Sequence, residues 1–499
     1  MSSLVQSVDW LAIAPPTLAA VAGLVVLVTD LFVPEHRKPL LGWTAVAGLA
    51  AATLMLLPLL DADRSTFCLV GDTGVCSYTA DRFTLVIQFL VLGGALLTAL
   101  LSVTALGDDR GRLPDGEYWF LLLSSAAGAA LLPAARDLAT LIVALEVASL
   151  PAFALVGLRY GDRRSSEAAL KFFLSSVTAT AVSLMGVSFL YAATGTLHLT
   201  RLAERVQDVD GQLVTLAQTG VVLTLVGFAF KTAAAPFHFW VPDTYVGAPL
   251  PIAAYLSVIG KAVGFTGLIL VTVVALPSYA DVWGPALAAL AALTMTVGNV
   301  GALRQGLTRA YSAVRLLAWS SIGQAGFLLV PIAAAAYSDD AEGSIGSTVA
   351  YALMYAAVNL GAFAVAALVG RGHRLNRVSD YRGLYATNPV TALLMGFFLL
   401  CLAGLPPGII GLFAKVTVFA AAVDAGLGWL AVVMAVNVVI ALVYYLKWTA
   451  LLFRAPEGTP AGHRVPAPLT AALAVTGVLG IALSGAPQLI LRFTGTGLF

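Results

Sequence analysis

Long apolar stretches alternate with short polar segments along almost the whole chain. A helix needs about 20 apolar residues to cross the hydrocarbon layer of a bilayer. Only helices and closed barrels satisfy every backbone hydrogen bond in lipid, and long runs rich in Leu and Ala are typical of helices. The pattern predicts an all-α polytopic membrane protein with about 14 spans, at residues 9–33, 39–60, 81–106, 116–133, 137–159, 167–193, 213–247, 251–276, 281–302, 308–333, 344–370, 388–423, 427–453 and 466–492.

The seventh and twelfth spans are too long for one straight helix, and each contains proline. Proline removes a backbone donor and clashes with the preceding turn, so we predict a broken helix in both. The two spans are five apart, an odd number, and therefore cross the membrane in opposite directions. This relation predicts two inverted five-helix repeats, which in transporters place sites near the membrane midplane.

The predicted repeats divide the chain into four parts. These are an N-terminal three-helix segment (1–106), a first repeat of helices four to eight (116–276), an inverted second repeat of helices nine to thirteen (281–453) and a C-terminal helix (466–499). No basic segment precedes the first apolar stretch, so we expect that stretch to remain as a span.

Positive charge is distributed unequally between the two sets of loops. Sixteen Lys and Arg side chains follow odd-numbered spans, and six follow even-numbered ones. Cytoplasmic loops carry the excess of Lys and Arg. We therefore expect the loops after odd-numbered spans in the cytoplasm and both termini on the outer side.

Composition supports a membrane protein and excludes some functions. The chain has 499 residues, is 60% hydrophobic and carries only 11% charged residues, whereas soluble domains carry about 25%. The mean hydropathy is +0.92. A net charge of +1 excludes a strongly basic nucleic-acid-binding protein.

The three cysteines do not support a redox centre within the chain. An iron–sulfur cluster usually needs four thiolates, tetrahedral zinc would need histidines at fitting spacing, and no nucleotide-binding motif is present. Cys68 and Cys76 share one polar loop, where they either form a disulfide in an oxidising compartment or remain free. Cys401 lies in an apolar run and is expected in the core.

Lysine, and not arginine, is the cation placed within the predicted spans. Four of the six lysines lie there: Lys171, Lys231, Lys261 and Lys415. Nearly all arginines lie in loops, and Arg315 falls two turns into a span. Arginine keeps its proton in proteins, whereas a lysine removed from water can release it. Glu146 is the one acid near the middle of a span.

Each such group costs about 2.5–3.5 kcal/mol on insertion scales. Four therefore cost on the order of 10 kcal/mol, which is comparable to the net stability of a domain. This cost favours a functional role, and we interpret Glu146 and Lys231 as a switchable pair from which a proton moves through Lys261 and water to Lys415. The alternative is a set of static ion pairs that fix helix register, or lysines that extend to the interface, an interpretation that fits Lys171 best.

Several other polar residues are candidates beside this path. His238 lies where the seventh helix restarts after its break, either as a titrating group or as a hydrogen-bonded structural residue. Ser320, Ser321 and Gln324 in the tenth span are expected to hold water between the two halves.

Two stretches carry a resemblance to a known family. The first runs from Lys231 through PFHFWVPDTYVGAP (236–249) and LSVIGKA (256–262); the second is GLPP (404–407) followed by Lys415. They resemble the antiporter-like membrane subunits of type I NADH:quinone oxidoreductase (respiratory complex I), and subunit N among them. The resemblance implies functional residues at Glu146, Lys231, Lys261 and Lys415, with Lys171 as the additional lysine of the sixth span.

The resemblance also distinguishes relatives. Subunit M usually carries Glu where Lys415 stands, and subunit L continues into a long lateral helix that is not expected in a chain ending at Phe499. Multisubunit sodium/proton antiporters share the lysine pattern and remain an alternative, as does a purely structural membrane scaffold.

If the resemblance holds, the chain is a subunit of a proton-translocating enzyme. It has no cofactor of its own, because flavin, iron–sulfur clusters and quinone belong to partner subunits. The implied partners are the sister antiporter-like subunits, small subunits of the membrane arm and the lipid bilayer. The implied location is the bacterial plasma (inner) membrane.

Overall fold

The apolar runs form long helices in the computed structural model, which describes residues 8–69, 72–109, 111–456, 464–495 and 497–499. The first ten helices are α1 (Ala14–Asp30), α2 (Pro39–Leu54), α3 (Arg82–Asp108), α4 (Asp115–Leu131), α5 (Leu138–Gly157), α6 (Arg163–Thr194), α7 (Leu199–Arg205), α8 (Val214–Thr232), α9 (Val241–Gly247) and α10 (Leu250–Ile269). The remaining ones are α11 (Ala280–Leu303), α12 (Ser312–Ala334), α13 (Ala341–Gly372), α14 (Leu384–Thr387), α15 (Pro389–Ala403), α16 (Ile409–Asp424), α17 (Gly428–Leu452), α18 (Ala467–Gly485) and α19 (Gln488–Leu491).

The prediction of a polytopic helical membrane protein is confirmed. Within the described residues, 11 helical stretches are long and apolar enough to cross a membrane. Both predicted breaks are present: the seventh span is divided into α8 and α9, and the twelfth into α15 and α16. The count of 14 spans and the boundaries of the two repeats stay predictions.

Aspartates at the polar ends of the spans begin several helices. Asp81, Asp137, Asp162 and Asp340 precede α3, α5, α6 and α13, and each side chain accepts a hydrogen bond from a backbone N–H of the first turn. Such caps satisfy donors that a helix start leaves open. These acids therefore define where the apolar segments start.

The two helix breaks share one geometry. Ala233 after α8 and Gly404 after α15 are left-handed, with φ of 68° and 83°. The next N–H then bonds back into the helix, from Ala234 to Ala229 and from Leu405 to Leu400, each at 2.9 Å. This is the pattern of a Schellman cap. It leaves the last carbonyls of each helix free to accept from other groups.

Helices α10, α12 and α13 form the centre of the molecule, because most of each is buried by its neighbours, whereas most of α2, α17 and α18 faces outward. A close approach joins α10 to the end of α8. A Cβ at Gly264 would lie 2.4 Å from the backbone nitrogen of Thr232. Glycine at this position therefore lets α10 reach the end of the broken helix.

The loop between α2 and α3 contains a β-hairpin that the all-α prediction missed. Strands β1 (Arg64–Leu69) and β2 (Asp72–Ala80) are antiparallel, and Cys68 lies opposite Cys76 and is joined to it by a disulfide. Of the two interpretations of these cysteines, the structure has the disulfide. Cys401 is buried, as expected. Arg110, one of the sixteen cations that follow odd-numbered spans, lies outside the described residues.

Candidate functional site

Three of the predicted lysines are buried in the interior. Lys231, Lys261 and Lys415 are between 2% and 4% exposed. They lie on α8, α10 and α16 respectively. An ammonium group in such surroundings needs polar partners, and the partners differ among the three.

Lys231 is bound by a hydroxyl group on α5. Its Nζ donates to Ser149 Oγ at 2.6 Å. The rings of Phe172 and Phe153 have centroids 5.2 and 5.5 Å from the same nitrogen, a distance at which an aromatic ring attracts a cation. Within the described part of the chain, the ammonium therefore has one hydrogen-bonding partner and an aromatic wall.

Glu146 lies on the same helix as Ser149 and is partly buried. Its Oε1 accepts from Thr180 Oγ1 at 2.7 Å. No carboxylate oxygen of the described residues lies within 4 Å of Lys231 Nζ. The predicted pair is thus separated in this conformation, and each member is held by a hydroxyl group. Whether the pair switches stays a prediction.

Lys261 and Lys415 are bound by the free carbonyls of the two helix breaks. Lys261 Nζ donates to the carbonyl of Thr232, the last residue of α8, at 3.2 Å. Lys415 Nζ donates to the carbonyls of Leu402 and Ala403 at the end of α15, both at 2.8 Å. The C-terminal end of a helix carries partial negative charge and favours a cation. The lysine that binds the carbonyl of the first break is Lys261 on the neighbouring helix α10, and not Lys231 of the broken helix itself.

Gln324 connects the second break to a polar cluster. Its Nε2 donates to the carbonyl of Leu402 at 3.3 Å and to Tyr445 Oη at 3.1 Å. Tyr351 donates to its Oε1, and Ser320 lies 2.5 Å from Tyr445 Oη. Lys415 and Gln324 therefore share one carbonyl. Ser321 is buried nearby on α12 and donates to its own helix.

A second polar cluster lies between the halves and was not predicted. Asn359 Nδ2 donates to Ser257 Oγ at 2.6 Å, and Tyr355 Oη donates to the Ser257 carbonyl at 3.1 Å. Ser257 lies one helical turn before Lys261 on α10. The amide of Asn359, deep within an apolar span, was the signal in the sequence that could have identified this cluster.

Lys171 and His238 lie apart from these buried groups. The side chain of Lys171 is 48% exposed and forms ion pairs with Glu167 at 2.8 Å and Asp243 at 2.9 Å. His238 is partly buried, and its ring centroid lies 5.6 Å from that of Trp319. Its role, as a titrating group or as a structural residue, stays a prediction. Among the described residues, no group of three or more His, Cys, Asp or Glu is arranged to hold a metal ion. The assignment of the redox cofactors to partner subunits stays a prediction.

A cavity of about 400 Å³, lined by both charged and apolar side chains, opens between α3, α10, α12 and α13. Two acids at the end of α3 line it, and both form ion pairs. Asp109 binds Arg159 after α5 at 2.8 Å, and Asp108 binds Arg371 on α13 at 2.6 Å. The cavity therefore lies where both predicted repeats meet α3.

Known proteins are similar to this chain in sequence. The family described as "NADH:quinone oxidoreductase/Mrp antiporter, TM" matches residues 135–441. NADH-quinone oxidoreductase subunit N 2 of Streptomyces griseus is 74% identical, over 100% of this chain and 95% of that protein.

Solved structures agree with this match. A chain of respiratory complex I from Thermus thermophilus has a TM-score of 0.78 at 32% identity, covering 96% of this chain and 98% of that one. A chain of the Mrp complex from Dietzia has a TM-score of 0.81 at 21% identity, covering 96% of both, which shows a common fold alone. The protein therefore belongs to the antiporter-like membrane subunits of NADH:quinone oxidoreductase, as a member of the subunit N family.

Proposed function

We propose that this chain translocates protons across the membrane as the subunit N component of NADH:quinone oxidoreductase. The proposed path contains Glu146, Lys231, Lys261 and Lys415. The observation that carries the proposal is the placement of three buried ammonium groups, two of them on the free carbonyls of broken helices. Ionisable groups inside a membrane protein mark ion or proton pathways by default.

The hydrogen-bonding groups between these residues support a connected path. Ser149 binds Lys231, Ser257 of the Ser257–Asn359 pair lies one helical turn before Lys261, and Gln324 shares a carbonyl with Lys415. Hydroxyl groups both donate and accept, so they can pass a proton on through water. The sequence predicts Lys171 and His238 as further members of this path. Of the two, His238 stays a candidate proton carrier, and Lys171 stays a candidate functional residue beside the path.

The energy source is proposed to lie in other subunits. Flavin, iron–sulfur clusters and quinone are assigned to partner subunits, and quinone reduction there drives the protons through this chain. Sister antiporter-like subunits and small subunits of the membrane arm are the proposed neighbours. This assignment rests on the family and on the cysteine content of the sequence.

The proposed location is the bacterial inner membrane, with both termini on the outer side. The disulfide between Cys68 and Cys76 supports this orientation, because it lies in a loop predicted outside, and disulfides persist in oxidising compartments.

Substitution of Lys231 by Ala tests the proposal. The complex, reconstituted in lipid vesicles, should move fewer protons per NADH oxidised. Lys447→Ala, which removes an exposed lysine of α17, is the matched control and should leave the ratio unchanged. An assembled Lys231→Ala complex with the ratio of the unmodified protein would refute the proposal.

The alternative function, a subunit of a multisubunit sodium/proton antiporter, has a separate test. An antiporter would exchange sodium for protons without NADH, and would purify without flavin and iron–sulfur subunits. Co-purification of those subunits with this chain would favour the oxidoreductase.

A further inference from the structure

We propose that Lys171 is a positioning residue: it acts as a fixed cation that holds α9 between α6 and α12, and it carries no proton. The inference rests on the proposed function, because α9 is the second half of the broken helix and lies in the chain between Lys231 and Lys261 of the path.

The contact between α9 and α6 involves one face of each helix. Trp240, directly before α9, stacks on Phe172 with ring centroids 4.2 Å apart. One turn later, Asp243 Oδ2 accepts from Lys171 Nζ at 2.9 Å. Spacings of three and four residues place side chains on the same helical face. Lys171 is therefore part of a packed seam between the two helices.

The same face continues to Gly247 at the end of α9. A Cβ there would lie 2.4 Å from Ala168 Cβ and 2.7 Å from the Arg164 carbonyl oxygen. Glycine at this position allows the close approach. Ala168 is one turn before Lys171 on α6, so the seam extends along both helices.

Asp243 extends the seam to the other half of the molecule. Its Oδ1 accepts from the Arg315 guanidinium on α12 at 3.3 Å, and Oδ2 binds Lys171. Each carboxylate oxygen thus serves one cation. Because α6 belongs to the first predicted repeat and α12 to the second, one side chain on the half-helix α9 joins the two repeats.

The seam also reaches the ammonium of the proton path. Phe172, the neighbour of Lys171, has its ring centroid 5.2 Å from Lys231 Nζ and stacks on Trp240. A displacement of α9 would therefore move the aromatic wall of Lys231. Through this contact, the ion pair at Lys171 sets the surroundings of Lys231 without any proton passing through Lys171.

Substitution of Lys171 by arginine and by glutamine distinguishes a fixed cation from a proton carrier. Arginine keeps its charge and does not release its proton in proteins. In the whole complex in lipid vesicles, we expect Lys171→Arg to keep the number of protons per NADH within about one fifth of the unmodified value. We expect Lys171→Gln to lower it at least twofold. NADH oxidation by a soluble artificial acceptor measures assembly in every variant.

Lys261→Arg serves as the matched control. It lies on the proposed path, so it should lower the proton count although its charge is kept. A loss in Lys171→Arg equal to that in Lys171→Gln would overturn the positioning role. Normal pumping in Lys261→Arg would instead contradict the proposed function, so the two failures are distinguishable.

Asp243, which forms the ion pair with Lys171, allows a second and independent test. Asp243→Asn should reduce pumping as Lys171→Gln does, and Asp243→Glu should restore part of it, because the negative charge and not the exact side chain holds the seam. Equal pumping by Asp243→Asn and the unmodified complex would overturn the proposal.

Discussion

At the residue scale, the three buried lysines differ in the groups that accept their hydrogen bonds. Lys231 donates to a hydroxyl, whereas Lys261 and Lys415 donate to backbone carbonyls. A hydroxyl both donates and accepts, but a carbonyl only accepts. A proton can thus leave Lys231 through Ser149, while Lys261 and Lys415 need water beside them for the transfer.

Ser149 is therefore expected to matter for the rate of translocation. Ser149→Ala leaves the buried ammonium of Lys231 without the hydroxyl that binds it, and a buried unsatisfied donor costs about 1–3 kcal/mol. We expect at least a twofold loss in proton-translocation rate in lipid vesicles, with the complex still assembled.

The matched control is Ser188→Ala, an exposed serine of α6 that bonds only to its own helix. It should translocate protons normally. Equal rates in the two variants would show that the Ser149 hydroxyl has no part in the path.

Charged candidates could be predicted from the sequence, but their partners could not. Glu146 and the lysines are conspicuous because they interrupt apolar spans. Ser149 and Thr180 are ordinary residues of membrane helices, and they reach their partners across 82 and 34 residues of chain. Only the packing of α5 and α8 on α6 brings these groups together.

At the element scale, the two broken helices determine where Lys261 and Lys415 of the path are bound. In each, a left-handed residue ends the first half and exposes carbonyls that bind a lysine. Proline content predicted that both spans break. It did not predict which lysine binds each break, because that depends on the approach of α10 to the end of α8.

The left-handed positions give a paired prediction. Gly404→Ala would place a Cβ 3.1 Å from Lys415 Cδ, and an L-residue in this conformation costs about 1–2 kcal/mol. We expect a lower thermal midpoint of the solubilised complex and weaker pumping. Ala233→Gly relieves the same backbone strain at the first break and should raise the midpoint or leave it unchanged. A similar fall in both variants would contradict this account of the breaks.

The hairpin was not predicted because a membrane span is recognised as a run of about 20 apolar residues. Strands β1 and β2 contain six and nine residues and lie in a polar loop. The alternation that marks a strand is too short there to stand out. The disulfide likewise depends on the register that places Cys68 opposite Cys76.

At the scale of the whole molecule, orientation decides which end of the path faces the cytoplasm. The excess of Lys and Arg in alternate loops predicts that the cavity lined by Arg371 and Arg374 opens to the cytoplasm. Its ion pairs with the end of α3 connect the N-terminal segment to both predicted repeats.

Thiol labelling tests this orientation. Arg374→Cys should react with a membrane-impermeant maleimide only from the cytoplasmic side, and Asp339→Cys, in a loop predicted outside, only from the other. The native cysteines give little background, because Cys68 and Cys76 are joined and Cys401 is buried. Labelling of both positions from one side would contradict the predicted topology.

The central claim is that protons cross the membrane through the buried lysines of this chain, and Lys415→Met tests it most directly. Methionine keeps much of the side-chain volume but removes the titrating group beside Leu402 and Ala403. The measurement is the number of protons moved per NADH oxidised by the complex in lipid vesicles. The account predicts a lower number while electron transfer to quinone continues. An unchanged number in the assembled Lys415→Met complex would contradict it.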